Sequence, residues 1–274
     1  MVRSDRATAF AFAFVIALIT FISVGIFISH HWWFPPNISV HGEAIDHQFT
    51  ETFVGVGLLF IAAQLFLAYC VWNFRDRGNN QKVRILPGGS KLTVGFAIVI
   101  IGVELITLEA VGSKAWAAIY FERAPADAIR VEVQGTQFAF YFHYPGPDEK
   151  FGMDHVEKID EGLGNFFGLD TSNDPDAKDD VVTATLGVPV NRPVELILRS
   201  KDVTHSFYVP ELRLQQDMVP GMQIPVHFTA TQVGRYEIVC TQLCGLGHYS
   251  MRAFLQVMSD ADYRKWMADQ AAAQ

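Results

Sequence analysis

Of 274 residues, 50% are hydrophobic and only 18% charged, too apolar a balance for an ordinary soluble chain, so membrane-crossing segments are expected. Disorder, which needs low hydrophobicity and high charge, is excluded, and a net charge of −8 leaves no basic surface for nucleic acid. Three cysteines are too few for a disulfide scaffold, so their spacing is read as metal chemistry.

After a tail of residues 1–8, three apolar runs are long enough to cross a bilayer, which takes about 20 residues. They are Ala9–Ser29, Phe53–Trp72 and Leu92–Val111, within a membrane region of residues 9–128. The first follows Arg3 and Arg6 and has a cleaved signal peptide as its rival. Its apolar run exceeds a signal core of about 7–15 residues, and Ser29-His30-His31-Trp32 is a poor cleavage site, so it reads as a retained helix. The connection over 30–51 has no Lys or Arg, whereas 73–91 carries Arg75, Arg77, Lys82, Arg84 and Lys91. That pattern reads in, out, in, and puts everything after the third span outside a bacterial inner membrane. Trp32, Trp33 and Trp72 sit at span ends, as an aromatic belt would. Glu109 is expected to reach the interface and Glu104 to be buried against a partner subunit. Cys70, inside the second span, reads as a small apolar residue.

From Ile129 the pattern changes to short alternating runs. Ile129-Val131-Val133 alternates, and Phe138-Phe140-Phe142-Tyr144 puts four aromatics on one strand face. Further strands are expected at Val181–Val190, Pro193–Arg199, His205–Val209, Ile224–Thr229, Arg235–Cys240 and Met251–Met258. Such strands, divided by Pro, Gly and Asn, suggest a β-sandwich of Greek-key type over residues 129–258. Residues 259–274 read as a surface helix or tail with Tyr263, Trp266 and Met267 on its apolar side.

The most informative stretch runs Cys240-Thr-Gln-Leu-Cys244-Gly-Leu-Gly-His248-Tyr-Ser-Met251. Two thiols and a thioether are soft donors suited to Cu(I), and imidazole suits copper in either oxidation state. His205, on another strand, could complete a set with one Cys more than a blue-copper site uses, which suggests two coppers bridged by two thiolates. A Cys240–Cys244 disulfide would leave His248 and Met251 without a reason, and zinc would prefer a fourth Cys or His to Met. His227 reads as packing, and His143 and His155 as surface; nothing marks His30, His31, His41 or His47 as ligands.

The chain resembles subunit II of cytochrome c oxidase and its haem–copper relatives, from about Glu43 to Met258. The resemblance includes Ala44-Ile45-Asp46-His47 before a helical hairpin and Ser200-Lys-Asp202-Val-Thr-His205-Ser206-Phe207. It continues through Pro210, Asp217, Pro220-Gly221 and Gly234-Arg-Tyr236 into the Cys-x₃-Cys-x₃-His-x₂-Met loop, its most specific element. It implies an all-β cupredoxin-like domain carrying the binuclear copper centre CuA. Cys240 and Cys244 would bridge the coppers, His205 and His248 would bind one each, and Met251 and the backbone carbonyl of Gln242 would be weak ligands.

The implied role is transfer of electrons from cytochrome c to haem in subunit I, where oxygen is reduced and protons are pumped. The rivals are the CuA subunit of a nitric oxide reductase and a standalone membrane-anchored cupredoxin carrier. This sequence departs from the family pattern in four ways. Gln242 replaces a Glu that helps bind Mg²⁺, so no Mg²⁺ is expected. Phe138 replaces the Trp linked to electron uptake, and Thr93 stands where an acid usually sits at the inner start of the second family helix. The first span is additional to the usual two.

The charge is local. From Asp148 to Asp180 eleven acids accompany three lysines, so this insertion alone carries the chain's −8. It reads either as a solvated loop or as a docking surface for a basic cytochrome c, with Asp174, Asp176, Asp179 and Asp180 as its candidate charges.

Overall fold

The structure, a computed structural model, describes residues 4–30, 34–77 and 89–274. The expectations that fall on Arg3, His31, Trp32, Trp33, Lys82 and Arg84 lie outside the described residues. The chain divides into a helical unit, residues up to 34 and 46–114, and a β unit, 35–45 and 115–274.

Three helices, α1 (Ser4–Ser29), α2 (Gly42–Asn73) and α3 (Lys91–Tyr120), contain the three apolar runs and extend beyond them. All three are long and apolar enough to cross a membrane. Phe10, near the start of α1, meets Trp72 edge-on at 6.1 Å, and Phe27, near its end, meets Phe53 at 5.4 Å, so α1 and α2 run antiparallel. Few of their side chains are buried within the unit, which leaves apolar surface for lipid or neighbouring helices to cover. Glu104 is half-buried and lines a groove between α2 and α3 with Gln48, Glu51, Thr52 and Thr107, so part of its polar surroundings comes from its own chain.

The β unit is a sandwich of two five-stranded sheets. One holds β1 (Ile129–Thr136), β2 (Ala139–Tyr144), β3 (Val181–Thr183), β5 (Pro193–Ser200) and β8 (Ile224–Thr229), in the order β3-β2-β1-β5-β8. The other holds β4 (Thr185–Pro189), β6 (His205–Val209), β7 (Leu214–Met218), β9 (Gly234–Cys240) and β10 (Arg252–Met258), in the order β4-β10-β9-β6-β7. Pairing is antiparallel except for β1·β5 and β4·β10. Alternation sets the inner faces: Val131 and Val133, Phe140 and Phe142, and Leu196 and Leu198 meet Phe207, Ile238 and Leu255, all essentially inaccessible. The segment 35–45 is strapped to this unit by backbone bonds from Ile38 to Glu211 and from Thr231 to Ile38, with Ile38 in the core.

The expected strand Val181–Val190 is two strands. At Ala184 the chain passes from one sheet to the other, and the Thr183 hydroxyl donates to the Thr185 carbonyl at the crossing. β7 was not expected: its Gln215-Gln216-Asp217 core lacks β-branched residues, and pairing with β6 makes it a strand. Three aromatics, not four, share the inner face of β2, because Phe138 lies in the turn before that strand.

The larger correction concerns His143 and the acidic insertion. His143 is fully buried, not at the surface, because residues 148–180 fold back over the outer face of β1 and β2. Phe166 stacks on Tyr141 with ring centroids 3.5 Å apart, and Phe151 and Phe167 flank His143 at 5.0 and 4.8 Å. Glu132, Gln134 and Thr136 on the outward face of β1 are buried as a result. Asp180 is buried too, which removes it from any docking surface.

Helix α4 (Asp260–Ala271) starts at Ser259, whose hydroxyl accepts the Asp262 N–H. Trp266 lies edge-on to Tyr144 at 5.7 Å and against Gly187, where a Cβ would run into the indole. The buried Tyr144 hydroxyl donates to the Gly187 carbonyl at 2.9 Å and accepts its N–H at 2.8 Å, joining the two sheets. Tyr144→Phe should therefore lower the stability of the sandwich by about 1–3 kcal/mol, since both Gly187 groups would be buried unpaired. Denaturant unfolding followed by near-ultraviolet circular dichroism checks this.

Candidate metal centre

Two local designs and one long-range pairing build the site. β9 ends at Cys240, and the chain turns through Gly245, at φ +135, and a short 3₁₀ turn at His248–Ser250 before β10. Only glycine adopts the Gly245 conformation without strain. The Cys240 N–H donates to the Met251 carbonyl at 3.2 Å, closing the loop at its base. His205 arrives from β6, which pairs antiparallel with β9 so that Phe207 lies opposite Cys240.

The loop and His205 converge. The sulfurs of Cys240 and Cys244 lie 3.8 Å apart, and the two cysteines are free thiols. That is far longer than the roughly 2.05 Å of a disulfide. It is also the span that two metal–thiolate bonds of about 2.3 Å subtend at a tetrahedral angle, so one ion can touch both sulfurs. His205 Nδ1 is 4.0 Å from Cys240 Sγ, and His248 Nδ1 is 3.6 Å from Cys244 Sγ. Met251 Sδ lies 3.7 Å from Cys244 Sγ, and the Gln242 carbonyl oxygen lies 3.2 Å from Cys240 Sγ. All six expected donors thus gather within one cluster, with His205, Cys240, Cys244 and Met251 buried. The Gln242 side chain belongs to an exposed residue; only its carbonyl joins the set.

Asp202 and Gln137, to which the sequence reading gave no role, organise the cluster. The His205 Nε2–H donates to Asp202 Oδ1 at 2.8 Å, which turns Nδ1 toward the sulfurs, where its N–H can donate to a thiolate or, once that proton is displaced, its lone pair can bind a metal ion. Asp202 also accepts the N–H groups of Gln137 at 2.8 Å and Val203 at 2.7 Å. Gln137 Nε2 in turn donates to the Cys244 carbonyl at 2.7 Å, tying the β1–β2 turn to the cysteine loop. Phe138, in that turn, lies against the loop, where a Cβ on Gly247 would collide with its ring. Gly135 lets β1 approach the His205 imidazole; a Cβ there would sit 3.0 Å from the ring.

The electrostatics suit a thiolate centre. Burial disfavours the Cys240 thiolate, but hydrogen bonds from His205 and the Ser206 amide outweigh it and bring its pKa below the usual thiol value. Cys244 moves the other way, raised by burial and by the charge on Cys240. Burial also raises the Asp202 carboxyl, but its bonds to His205, Gln137 and Val203 prevail and keep it ionised.

The donor set fits copper better than zinc or a hard cation: two thiols, two imidazoles, a thioether and a carbonyl, with no carboxylate in the metal-ligating group among the described residues. His227 lies half-buried on β8, between the inward Val226 and Phe228, with its Nε2 at 3.1 Å from the Glu122 carbonyl oxygen.

A family model described as cytochrome C oxidase subunit II, periplasmic domain, matches residues 165–258. The chain is 36% identical over 262 residues to the alternative cytochrome c oxidase subunit 2 of Bradyrhizobium diazoefficiens, covering 95% of this chain and 92% of that one. It is 27% identical over 225 residues to the cytochrome c oxidase subunit 2 of Cereibacter sphaeroides, with 77% and 71% covered. Among solved structures, the periplasmic domain of subunit II of cytochrome oxidase from Bradyrhizobium japonicum aligns at a TM-score of 0.41 and 23% identity, over 55% of this chain and 99% of that one. The 36% identity spans the helices and the sandwich alike, and the chain belongs to the cytochrome c oxidase subunit 2 family, the copper-binding subunit of a haem–copper oxidase.

Proposed function

We propose that this chain is the electron-accepting subunit of a respiratory oxidase, taking electrons from cytochrome c or a cytochrome c domain and passing them to haem in the catalytic subunit, where oxygen is reduced to water and protons are translocated. The observation that carries the reading is the pair of free thiols 3.8 Å apart, flanked by two imidazole Nδ1 atoms, a thioether and a carbonyl. Cys240, Cys244, His205, His248, Met251 and the Gln242 carbonyl would hold a pair of coppers. When bound, the pair would supply a one-electron redox couple.

The protein's part is to hold these donors still and dry. Asp202 fixes the tautomer and orientation of His205, and Gln137 clamps the loop through the Cys244 carbonyl. Burial of the sulfurs and of His205 excludes water. Phe138, 38% exposed against the loop, is the proposed point of electron uptake. The three helices would anchor the sandwich at the outer face of a bacterial inner membrane, beside the catalytic subunit. The 36%-identical relative is named a cytochrome c oxidase, which favours an oxygen-reducing complex over nitric oxide reduction. Its coverage of helices and sandwich together favours a subunit over a standalone carrier.

Copper loading of the purified chain tests the assignment. The expected product carries two coppers and a mixed-valence binuclear spectrum, and Cys240→Ser or Cys244→Ser abolishes that signal. A mononuclear blue spectrum as the sole product would overturn the reading. Phe138→Ala should slow electron uptake from cytochrome c while the copper content stays at the wild-type level, as measured by stopped flow on the assembled oxidase.

The exposed acids of the insertion would steer a basic donor toward the loop. Neutralising Asp148, Glu149 and Glu157 together, all exposed, should lower the association rate at low ionic strength and flatten its salt dependence. An association rate equal to wild type across the salt series would count against steering.

A further inference from the structure

Beneath the insertion lies a charged cluster that the metal centre does not use. His143 Nδ1 is 2.9 Å from Glu132 Oε2, and its Nε2 is 2.7 Å from Asp180 Oδ2. Carboxylates only accept, so both contacts are hydrogen bonds only when both ring nitrogens carry hydrogen. The geometry is that of an imidazolium.

The remaining groups extend from this centre. Arg199, on β5, donates to Glu132 Oε1 at 2.9 Å and, through its other nitrogen, to Asp154 of the insertion. The second carboxylate oxygen of Asp154 is buried without a partner. Asp180 also accepts the N–H of Gly152 at 2.7 Å and that of Gly146 at 3.3 Å, so one carboxylate fastens the start and the end of the insertion together. Phe151 and Phe167 shield the imidazole, and Arg130, ion-paired with Glu195, lies over Phe151. The guanidinium of Arg199 already supplies the cation between Glu132 and Asp154, which makes these acids a poor site for a metal ion.

We propose that His143, Glu132, Asp180, Asp154 and Arg199 form a protonation-dependent clasp that fastens the acidic insertion to the outer face of the sheet and loosens when the imidazole loses its proton. Two cations face three ionised carboxylates, so the cluster carries one excess negative charge, which loss of the imidazole proton doubles and protonation of Asp154 removes.

The window follows from the individual groups. Burial alone would lower the His143 pKa, but its two carboxylate partners outweigh burial and raise it above 6.5. Its contribution is therefore complete below that value and is lost as pH rises through the raised one. Asp154 is raised from 3.8 to about 6, by burial first, so the cost of its ionisation to the closed state accumulates as pH rises from 3.8 to about 6 and is fully present above that. Glu132 sets the acid limit. Burial would raise it, but His143 and Arg199 hold it below 4.5, and its contribution is lost only as pH falls through the lowered value. The clasp is tightest in mild acid.

Hydrogen–deuterium exchange of the full chain in detergent, corrected for the intrinsic pH dependence of exchange, tests this. Peptides covering 146–180 should lose protection between about pH 5.5 and about pH 9, by about tenfold for each unit through which the imidazole pKa is raised. Those covering β9 and β10 should stay protected. His143→Gln, whose uncharged amide has one nitrogen in place of the two ring nitrogens that meet Glu132 and Asp180, should leave the insertion open across the whole range. Asp154→Asn, which removes one buried negative charge at little change in volume, should show near pH 7 the protection that wild type shows near pH 5.5. An insertion equally protected at both ends of the range in wild type would overturn the proposal. So would His143→Gln protected like wild type, or Asp154→Asn no better protected than wild type near pH 7. If His143→Gln does not accumulate as folded protein, the wild-type series and Asp154→Asn decide the matter.

Discussion

The register of β6 against β9 is the constraint on which the candidate metal centre depends. With Phe207 opposite Cys240, His205 is brought to the end of the sheet where the cysteine loop begins, and both residues face the interior. A slip of one residue would turn Cys240 to the opposite face of the sheet and separate it from His205. The register is over-determined, since Ile238 and Phe207 are core residues and would be exposed by the same slip. Hydrophobic packing thus fixes a ligand geometry whose own bonds need not exist for the strands to pair. On the other side of the loop, β10 pairs with β9 from Arg252 onward, so Met251 is held where the loop closes.

The second level of order is polar and local. Asp202 sits three residues before His205 and collects the imidazole, the β1–β2 turn and its own next amide. A carboxylate so surrounded remains ionised and has little freedom to reorient, so His205 presents Nδ1 with or without metal. Gln137 carries the same constraint across to Cys244. Under the proposed function this rigidity would matter, since donors that barely move on a change of charge would allow electron transfer with little rearrangement.

Much of this was legible in the sequence, for a physical reason. Cys240, Cys244, His248 and Met251 are close in sequence, so spacing and donor softness sufficed to single them out. His205 lies 35 residues upstream of Cys240, so donor chemistry offers it as a second imidazole but no spacing rule joins it to the loop, and the family resemblance supplies that link. Asp202 stood inside a recognised motif, yet nothing in spacing says that its carboxylate binds an imidazole. His143 was misread because it alternates with Phe142 and Tyr144 on the face that a two-layer sandwich leaves to solvent. The insertion supplies a third layer there, and its acidic composition hid that it also carries Phe151, Phe166 and Phe167. The chain's change of sheet at Ala184 was equally invisible, since Val181–Val190 is apolar on both sides of it.

That third layer changes what the −8 means. Counted by residue, the insertion holds the chain's whole net charge. Counted by environment, Asp154 and Asp180 are committed to Arg199 and His143, Asp170 to Lys158, and Glu161 to Lys201. The field felt by an approaching protein therefore comes mainly from the remaining exposed carboxylates, and at physiological ionic strength each acts over only about 8 Å. Steering at that range would require the charges to be held in place relative to the cysteine loop. A flexible acidic tether would spread the same charge over a large volume, whereas a layer fixed by stacked aromatics and a buried imidazolium keeps it concentrated. The buried acids thus serve the surface indirectly: by binding inward, they fix where the outward ones point.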